Sequence, residues 1–320
     1  MAMATELLEL VRGNPETHIR RDVECLRTGI VNCFLCGEPG AGDRRWTLVD
    51  AGMPGFTRTI RRAAEERFGV GSRPSAIILT HGHFDHVGAL PELAEEWDAP
   101  VYAHRLELPY VTGRSAYPPP DPSVGGGMMA RLSKLYPRGP IDLGNRAWPL
   151  PEDGSVPGME GWRWVHTPGH SPGHVSLFRD EDRVLLAGDA FVTTKQESML
   201  AVLRQSPEVH GPPAYYTTDW DRAKASVRLL ANLEPVVAAT GHGMPMRGGP
   251  LRSALHTLAD DFETLAVPRD GRYVRAPALS DANGVVSVPP PVHDGRLPLL
   301  LGVGAVAAVG VALGLRSRRR

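Results

Sequence analysis

The chain has 320 residues, 42% of them hydrophobic, with 35 lysines and arginines against 36 acidic residues and a formal charge of -1. This is enough apolar material for the core of one large domain or two modest ones, and it excludes a disordered or collagen-like chain. The near-neutral balance advertises no basic face and argues against a nucleic-acid partner.

The N-terminal MAMATELLELVRGNPE carries acidic residues and no basic region followed by an apolar core, so it does not read as a secretory signal, and the folded part is expected to stay in the cytosol. Cys25, Cys33 and Cys36 follow, the last two with CxxC spacing. GIVNCFLCG reads as a strand, however, in which positions three apart face opposite ways, and no second CxxC completes a four-thiolate site. Buried structural thiols in a reducing compartment are therefore expected.

Strand-like runs around Gly29 to Leu35 and Trp46 to Val49 flank the turn-rich GEPGAGD and predict a hairpin. GFTRTIRRAAEERFG then shows apolar or alanine positions at helical spacing before a glycine stop. The short apolar SAIILT, a helix over about Val87 to Trp97 and the strand PVYAH complete a first round of strand and helix. Between about Arg105 and Arg146 the pattern loosens, and the insertion 105–146 is a possible lid carrying the helical piece MMARLSKLY. GWRWVH, HVSLF and RVLLAG read as three strands, followed by the helix DWDRAKASVRLLANLE, the strand PVVAAT and a last helix over about Leu251 to Leu265. Two rounds of strands and helices predict an α/β fold of two sheets packed face to face between helices.

The stretch 267–296 has the proline and glycine content of a linker or wrapping tail, leaving 1–266 as the main folded domain. Leu297 to Leu315 is uncharged and closed by the basic tail RSRRR at 316–320. At about 1.5 Å per residue this run approaches the thickness of bilayer hydrocarbon, which predicts a C-terminal transmembrane helix. The positive-inside rule would put RSRRR in the cytoplasm, in conflict with a cytosolic enzyme; the missing signal sequence decides for a cytoplasmic catalytic domain tethered to the membrane by this helix.

The chemistry is concentrated in THGHFDHVG, which places His81, His83, Asp85 and His86 immediately after an apolar strand. Imidazole and carboxylate suit borderline divalent metals, and strand ends are where an α/β protein exposes ligand sites. Within the extended loop, His81 and His83 can face one side while Asp85 and His86 turn to another, making two half-sites that need further ligands. His170 in TPGHSPGH, Asp189 at the end of RVLLAGD, His242 at the end of PVVAATGH and Asp50 at the end of TLVD repeat the same arrangement of strand, small residue and metal-type side chain.

On these motifs the chain resembles the metallo-β-lactamase fold superfamily over roughly residues 20 to 265, with Asp50, the HxHxDH of His81 to His86, His170, Asp189 and His242 in family order. The resemblance implies a four-layer αβ/βα sandwich. It further implies that His81, His83 and His170 bind one metal, that Asp85, His86 and His242 bind another, that Asp189 bridges them and that Asp50 supports the site from behind. The implied cofactors are two divalent ions, zinc by preference, with iron or manganese as alternatives. A full HxHxDH with Asp189 and His242 is closest to the glyoxalase II and lactonase-like branch. The expected reaction is hydrolysis of a small-molecule thioester, lactone or related ester by a hydroxide held between the two metals, with Asp85 or Asp189 relaying the proton. An iron-dependent sulfur dioxygenase on a similar metal site is the alternative, and a nuclease or phosphodiesterase is disfavoured by the charge. His166 and His174 flank His170 and are expected to form hydrogen bonds rather than ligate. His104, His210 and His256 lack motif context, and Tyr215 and Tyr216 are read as packing residues that could instead aim a phenol at the site.

Overall fold

The computed structural model describes residues 18–292. The chain opens as a meander of short strands, β1 (His18–Arg20), β2 (Val23–Thr28), β3 (Val31–Cys36) and β4 (Thr47–Val49), all paired antiparallel. The predicted hairpin is the β3–β4 pair, in which Phe34 faces Val49. β1 and β2 precede it and escaped the sequence reading. Next come α1 (Thr57–Phe68), β5 (Ala76–Ile78), α2 (Leu90–Glu96), β6 (Val101–Ala103), α3 (Leu108–Val111), α4 (Met128–Leu132) and β7 (Ala147–Pro149). β4, β5, β6 and β7 run parallel and complete a seven-stranded sheet in sequence order.

α1 forms because Thr57, Ile60, Ala64 and Phe68 fall on one face at spacings of three and four, and all four are buried. Each large apolar side chain so covered contributes about 1.5–3 kcal/mol. α2 starts at Leu90, later than predicted, because Phe84 to Ala89 are spent on turns after the histidine loop and Pro91 sits in its first turn.

The second sheet contains β8 (Trp162–His166), β9 (Val175–Arg179), β10 (Val184–Leu186), β11 (Val237–Ala239) and β12 (Met246–Arg247). Its order is β12-β11-β10-β9-β8, with β10 and β11 parallel. α5 (Met199–Arg204) and α6 (Trp220–Asn232) lie between β10 and β11, and α7 (Gly248–Asp260) and α8 (Phe262–Leu265) follow β12. The Asp219 side chain caps α6 by accepting from the Arg222 N–H at 3.0 Å.

Three apolar cores define the layers. Phe34, Val49 and Ile78 of the first sheet meet Val175, Leu177 and Leu186 of the second. Leu35, Leu48 and Ile77 point the other way, onto Ile60 and Phe68 of α1 and Leu93 of α2. Phe178, Leu185 and Ala238 cover the outer side of the second sheet with Val227, Leu230 and Leu255 of α6 and α7. Helix, sheet, sheet and helix are thus stacked, with parallel pairing from β4 to β7 in the first sheet and between β10 and β11 in the second. Cys33 joins the helix-side core, while Cys25 and Cys36 join the one between the sheets, and all three are free and buried.

The Pro/Gly-rich stretch after α8 folds back on the insertion. α9 (Arg272–Arg275) buries Tyr273, whose hydroxyl donates to the Pro119 carbonyl at 2.5 Å, and the Arg272 N–H donates to Asp121 at 2.6 Å. A small hairpin of β13 (Leu279–Asp281) and β14 (Gly284–Ser287) touches the insertion through Ser280 and Tyr110, 3.1 Å apart.

The expected C-terminal hydrophobic helix over 297–315 lies outside the described residues. Among the described residues no helix is long and apolar enough to cross a membrane. α6 and α7, at 13 residues each, reach about 20 Å and are amphipathic, short of the ~30 Å that hydrocarbon demands. For the described residues the fold class is therefore corrected to a layered α/β sandwich in which no helix is long and apolar enough to cross a membrane. The expectations of a membrane partner and of a membrane-tethered location are withdrawn with it.

Candidate metal centre

Four strands end at the same edge of the sandwich, each followed by a polar residue. Asp50 follows β4 with a left-handed φ of 57°, an arrangement aspartate tolerates better than a bulky residue. Thr80 and His81 follow β5 and Leu79, Asp189 follows β10 through Ala187 and Gly188, and His242 follows β11 through Thr240 and Gly241. A glycine stands immediately before His170, Asp189 and His242, and at His242 it has a steric reason. A Cβ on Gly241 would stand 2.1 Å from Asp189 Oδ1 and 2.6 Å from His86 Cε1, so only glycine lets this backbone pass.

The hydrogen bonds decide how each ring is presented. Asp50 Oδ2 accepts from His86 Nδ1 at 2.9 Å and from the Thr80 hydroxyl at 2.7 Å, while Oδ1 accepts the Thr80 N–H at 2.8 Å. The Thr80 hydroxyl is thereby used as a donor, so His81 Nδ1, 3.1 Å away, donates to it. His242 Nδ1 donates to the Ile30 carbonyl at 2.7 Å. The Thr217 hydroxyl donates to the Pro213 carbonyl at 2.9 Å and is left to accept from His170 Nδ1 at 3.4 Å. Four histidines are thus held with the proton on Nδ1 and the Nε2 lone pair facing inward. His83 instead turns Nδ1 inward, 3.0 Å from His170 Nε2, and stacks on Tyr216.

The inward atoms converge in groups, each within 4.8 Å: His81, His83 and His170; His81, His86 and Asp189; and Asp85, His86 and His242. Asp189 lies among them, its Oδ2 at 3.2 Å from His242 Nε2, 3.5 Å from His170 Nε2 and 3.6 Å from His86 Nε2. Asp85 Oδ2 is 3.5 Å from His242 Nε2. The structure therefore brings together all seven side chains singled out in the sequence, with Asp50 behind them.

Burial disfavours charge on the rings and holds His170 down at about 4 and His81 and His83 well below the usual imidazole range. Burial acts in the same direction on His86 and His242, but Asp189 overrides it and lifts both, with Asp50 helping at His86 and Asp85 at His242. Asp189 in turn, despite its burial, is held well below the usual carboxylate range by His242 and His86.

This donor set fits metal ions. His81 Nε2, His86 Nε2 and Asp189 Oδ1 are buried with no hydrogen-bond partner, an arrangement that costs about 1–3 kcal/mol per group unless a ligand satisfies it. Imidazoles with carboxylates suit zinc and similar borderline ions, whose ligand nitrogens at about 2.0–2.1 Å from the ion stand a little over 3 Å apart, close to the spacing of His83 and His170.

Other residues have supporting places. His174 accepts the Asp189 N–H through Nε2 at 2.8 Å and therefore donates from Nδ1 to Thr167 at 2.8 Å; it holds the backbone of a ligand candidate instead of facing the centre. His166 bonds to the Pro172 carbonyl at 3.0 Å and stacks on His104. His210 and His256 pair with Glu208 and Glu234. The Tyr216 hydroxyl donates to the Pro137 carbonyl at 3.2 Å, so its ring packs while its phenol is engaged elsewhere. Tyr215 is buried in the cluster around Met129 and Ala130, against which Phe84, Tyr136 and Met199 also pack. Glu107 and Tyr117, absent from the sequence reading, stand beside Gly82 in the histidine loop.

A family model described as Metallo-beta-lactamase superfamily matches residues 26–242. Probable metallo-hydrolase YflN of Bacillus subtilis strain 168 is 48% identical over 258 residues, which cover 81% of this chain and 97% of that protein. Probable metallo-hydrolase YybB of the same organism is 31% identical over 196 residues, 61% of this chain and 74% of that protein. Among solved structures, a beta-lactamase domain protein from Burkholderia ambifaria aligns with a TM-score of 0.53 at 19% identity, covering 77% of this chain and 76% of that one. BJP-1, a subclass B3 metallo-beta-lactamase of Bradyrhizobium japonicum, aligns at 0.51 and 20% identity, covering 77% and 91%. At these identities the structural likeness speaks for the fold alone.

Proposed function

The chain belongs to the metallo-beta-lactamase superfamily, and from that premise we propose that it is a dinuclear metallo-hydrolase acting on a thioester, lactone or related ester. The observation that carries this reading is the convergence of five inward-facing imidazole nitrogens on the carboxylates of Asp85 and Asp189. His81, His83 and His170 would hold one ion, Asp85, His86 and His242 the other, and Asp189 would serve both. A pair of divalent ions held there, zinc by preference, would supply a water of lowered pKa and would polarise the acceptor oxygen of a carbonyl substrate.

The chain's own groups have separable tasks. Asp50, Thr80, Thr217 and the Ile30 carbonyl keep the imidazole lone pairs turned inward. Asp189 Oδ2 stands within 3.6 Å of three imidazoles, whereas Asp85 has only that of His242 so near, at 3.5 Å, so Asp85 is the better placed carboxylate to accept and pass on a proton. Phe84, Tyr136 and Met199 supply an apolar wall next to the histidine loop, suited to the acyl side of an ester more than to a polyanion.

The test is a screen of zinc-loaded protein against thioesters, lactones, β-lactams and phosphodiesters, with oxygen uptake recorded in parallel. Cleavage of a thioester or lactone, lost in Asp189→Ala by at least about 10-fold together with part of the bound metal, is the expected result. Iron-dependent oxygen uptake without ester cleavage would overturn the hydrolase reading.

A further inference from the structure

The insertion sends one acid into the interior. Glu107, just ahead of α3, is fully buried. Oε2 accepts the Tyr117 hydroxyl and shares the Gly82 N–H with the Tyr117 oxygen, that nitrogen standing 3.1 Å from Oε2 and 2.9 Å from the phenol; Oε1 accepts the Ser171 hydroxyl at 2.7 Å and the Gly173 N–H at 2.8 Å. Gly82 lies between His81 and His83, and Ser171 directly follows His170. One carboxylate therefore grips both loops that deliver the three-histidine group, one oxygen to each.

The two loops are shaped to admit it. A Cβ on Gly82 would meet the Tyr117 hydroxyl oxygen at 2.8 Å, and one on Gly173 would meet Glu107 Cγ and its backbone nitrogen at 2.8 Å. Tyr117 also lays its ring 4.5 Å from that of His83 and stacks on Tyr110 at 3.9 Å. Among the described residues no cationic side chain bonds to Glu107, so these four donors are what offset its burial.

We propose that Glu107 is a positioning residue of the metal centre, tying the His81–His83 loop to the His170 loop so that the three imidazoles stand at metal-binding spacing before an ion arrives. This rests on the reading that those histidines hold a metal. A carboxylate is required because all four partners present hydrogens and both backbone N–H groups are fixed. In Glu107→Gln the amide NH2 must face one of those N–H groups, and although the Gly82 N–H keeps the Tyr117 oxygen as acceptor, the direct tie from position 107 to one of the two loops is lost.

The experiment compares wild type, Glu107→Gln, Glu107→Ala and Tyr117→Phe, each stripped and reloaded with zinc or cobalt(II), by metal stoichiometry, chelator competition, cobalt absorption spectrum and thermal unfolding of the metal-free forms. Glu107→Gln is expected to bind one of its two ions about 10- to 100-fold more weakly, with an altered cobalt spectrum, while the other ion is retained. Tyr117→Phe, which keeps the ring against His83, loses a donor to Glu107 and an acceptor of the Gly82 N–H but leaves Glu107 bonded to both loops, and should shift the same ion in the same direction by less. If Glu107→Ala fails to fold, Glu107→Gln decides. Wild-type affinity for both ions in Glu107→Gln, even with a lowered melting temperature, would overturn the proposal, as would a wild-type protein that takes up no metal. Metal uptake is read without substrate, so a wild type that loads two ions and cleaves no ester would defeat the hydrolase reading alone.

Discussion

Replacing Asp50 with asparagine changes one atom and puts the inward presentation of His86 at stake. The carboxylate takes three hydrogens, from His86 Nδ1, the Thr80 hydroxyl and the Thr80 N–H, all at sites closed to solvent. Asparagine offers one oxygen and one NH2. If the oxygen faces His86, the NH2 confronts the Thr80 N–H and leaves it unsatisfied, at a cost of about 1–3 kcal/mol. If the oxygen faces the Thr80 N–H, the NH2 donates to His86 Nδ1 and moves the imidazole proton to Nε2, where it blocks the lone pair aimed at Asp189 and the centre. The left-handed φ of 57° is kept in either case, since asparagine tolerates it as aspartate does. The expected outcome is a melting temperature lower by about 2–10 °C, scaled from a cost of about 1–3 kcal/mol, and an affinity for one ion about 10- to 100-fold weaker. Calorimetry of the metal-free protein, zinc competition and imidazole nitrogen shifts of His86 measure the three effects. Two ions bound at wild-type affinity with Nδ1 still protonated would refute the reasoning.

Gly241→Ala should displace the Asp189 carboxylate and lose at least one ion with about 10-fold or more of the turnover, because its Cβ would lie 2.1 Å from Asp189 Oδ1; crystallisation of an intact centre in this variant would count against the steric account. Burial pushes the Cys25 thiol up to about 12 and the Cys33 and Cys36 thiols above their ordinary range. A disulfide reagent at pH 8 should therefore leave all three cysteines unlabelled until the protein is unfolded, and rapid labelling of any one in the native state would contradict this. Asp182, despite partial burial, is held below the usual carboxylate range by Arg179 and Arg20, so its contribution is present above its unfolded value and is lost as the pH falls through the lower folded one. The gap in melting temperature between wild type and Asp182→Asn should accordingly be widest near neutrality and close below about pH 4; a gap independent of pH would be the wrong result.

Much of the layered fold is visible in local pattern. Ile60, Ala64 and Phe68 repeat at helical spacing, and β5 and β10 are short apolar runs that stop at a small or polar residue. The residues gathered at the centre are legible for a related reason, since Asp50, Asp189 and His242 stand just past strand ends, and His81 to His86 and His170 lie in the loops that follow β5 and β8. What stayed hidden acts at a distance. Glu107 sits in an unremarkable LELP context, and its partners Gly82 and Ser171 are 25 and 64 residues away. His174 looked like a neighbour of His170 and proves to be tied to Asp189, 15 residues on. Hydropathy of 297–315 suggested a membrane helix; that run lies outside the described residues, among which no helix is long and apolar enough to cross a membrane.

The hydrogen bond from His242 to the Ile30 carbonyl joins positions 212 apart in the chain, and Asn32 adds two more, from its side chain to the carbonyls of Thr240 and Gly243. During synthesis the first hairpin is made well before β11, the strand whose following loop it will hold. A nascent chain halted at Glu234 carries Ile30, Asn32, His81, His83 and His170 and lacks only His242 among the histidines of the centre. The two halves of the donor set are therefore completed at different moments of translation, the three-histidine group first.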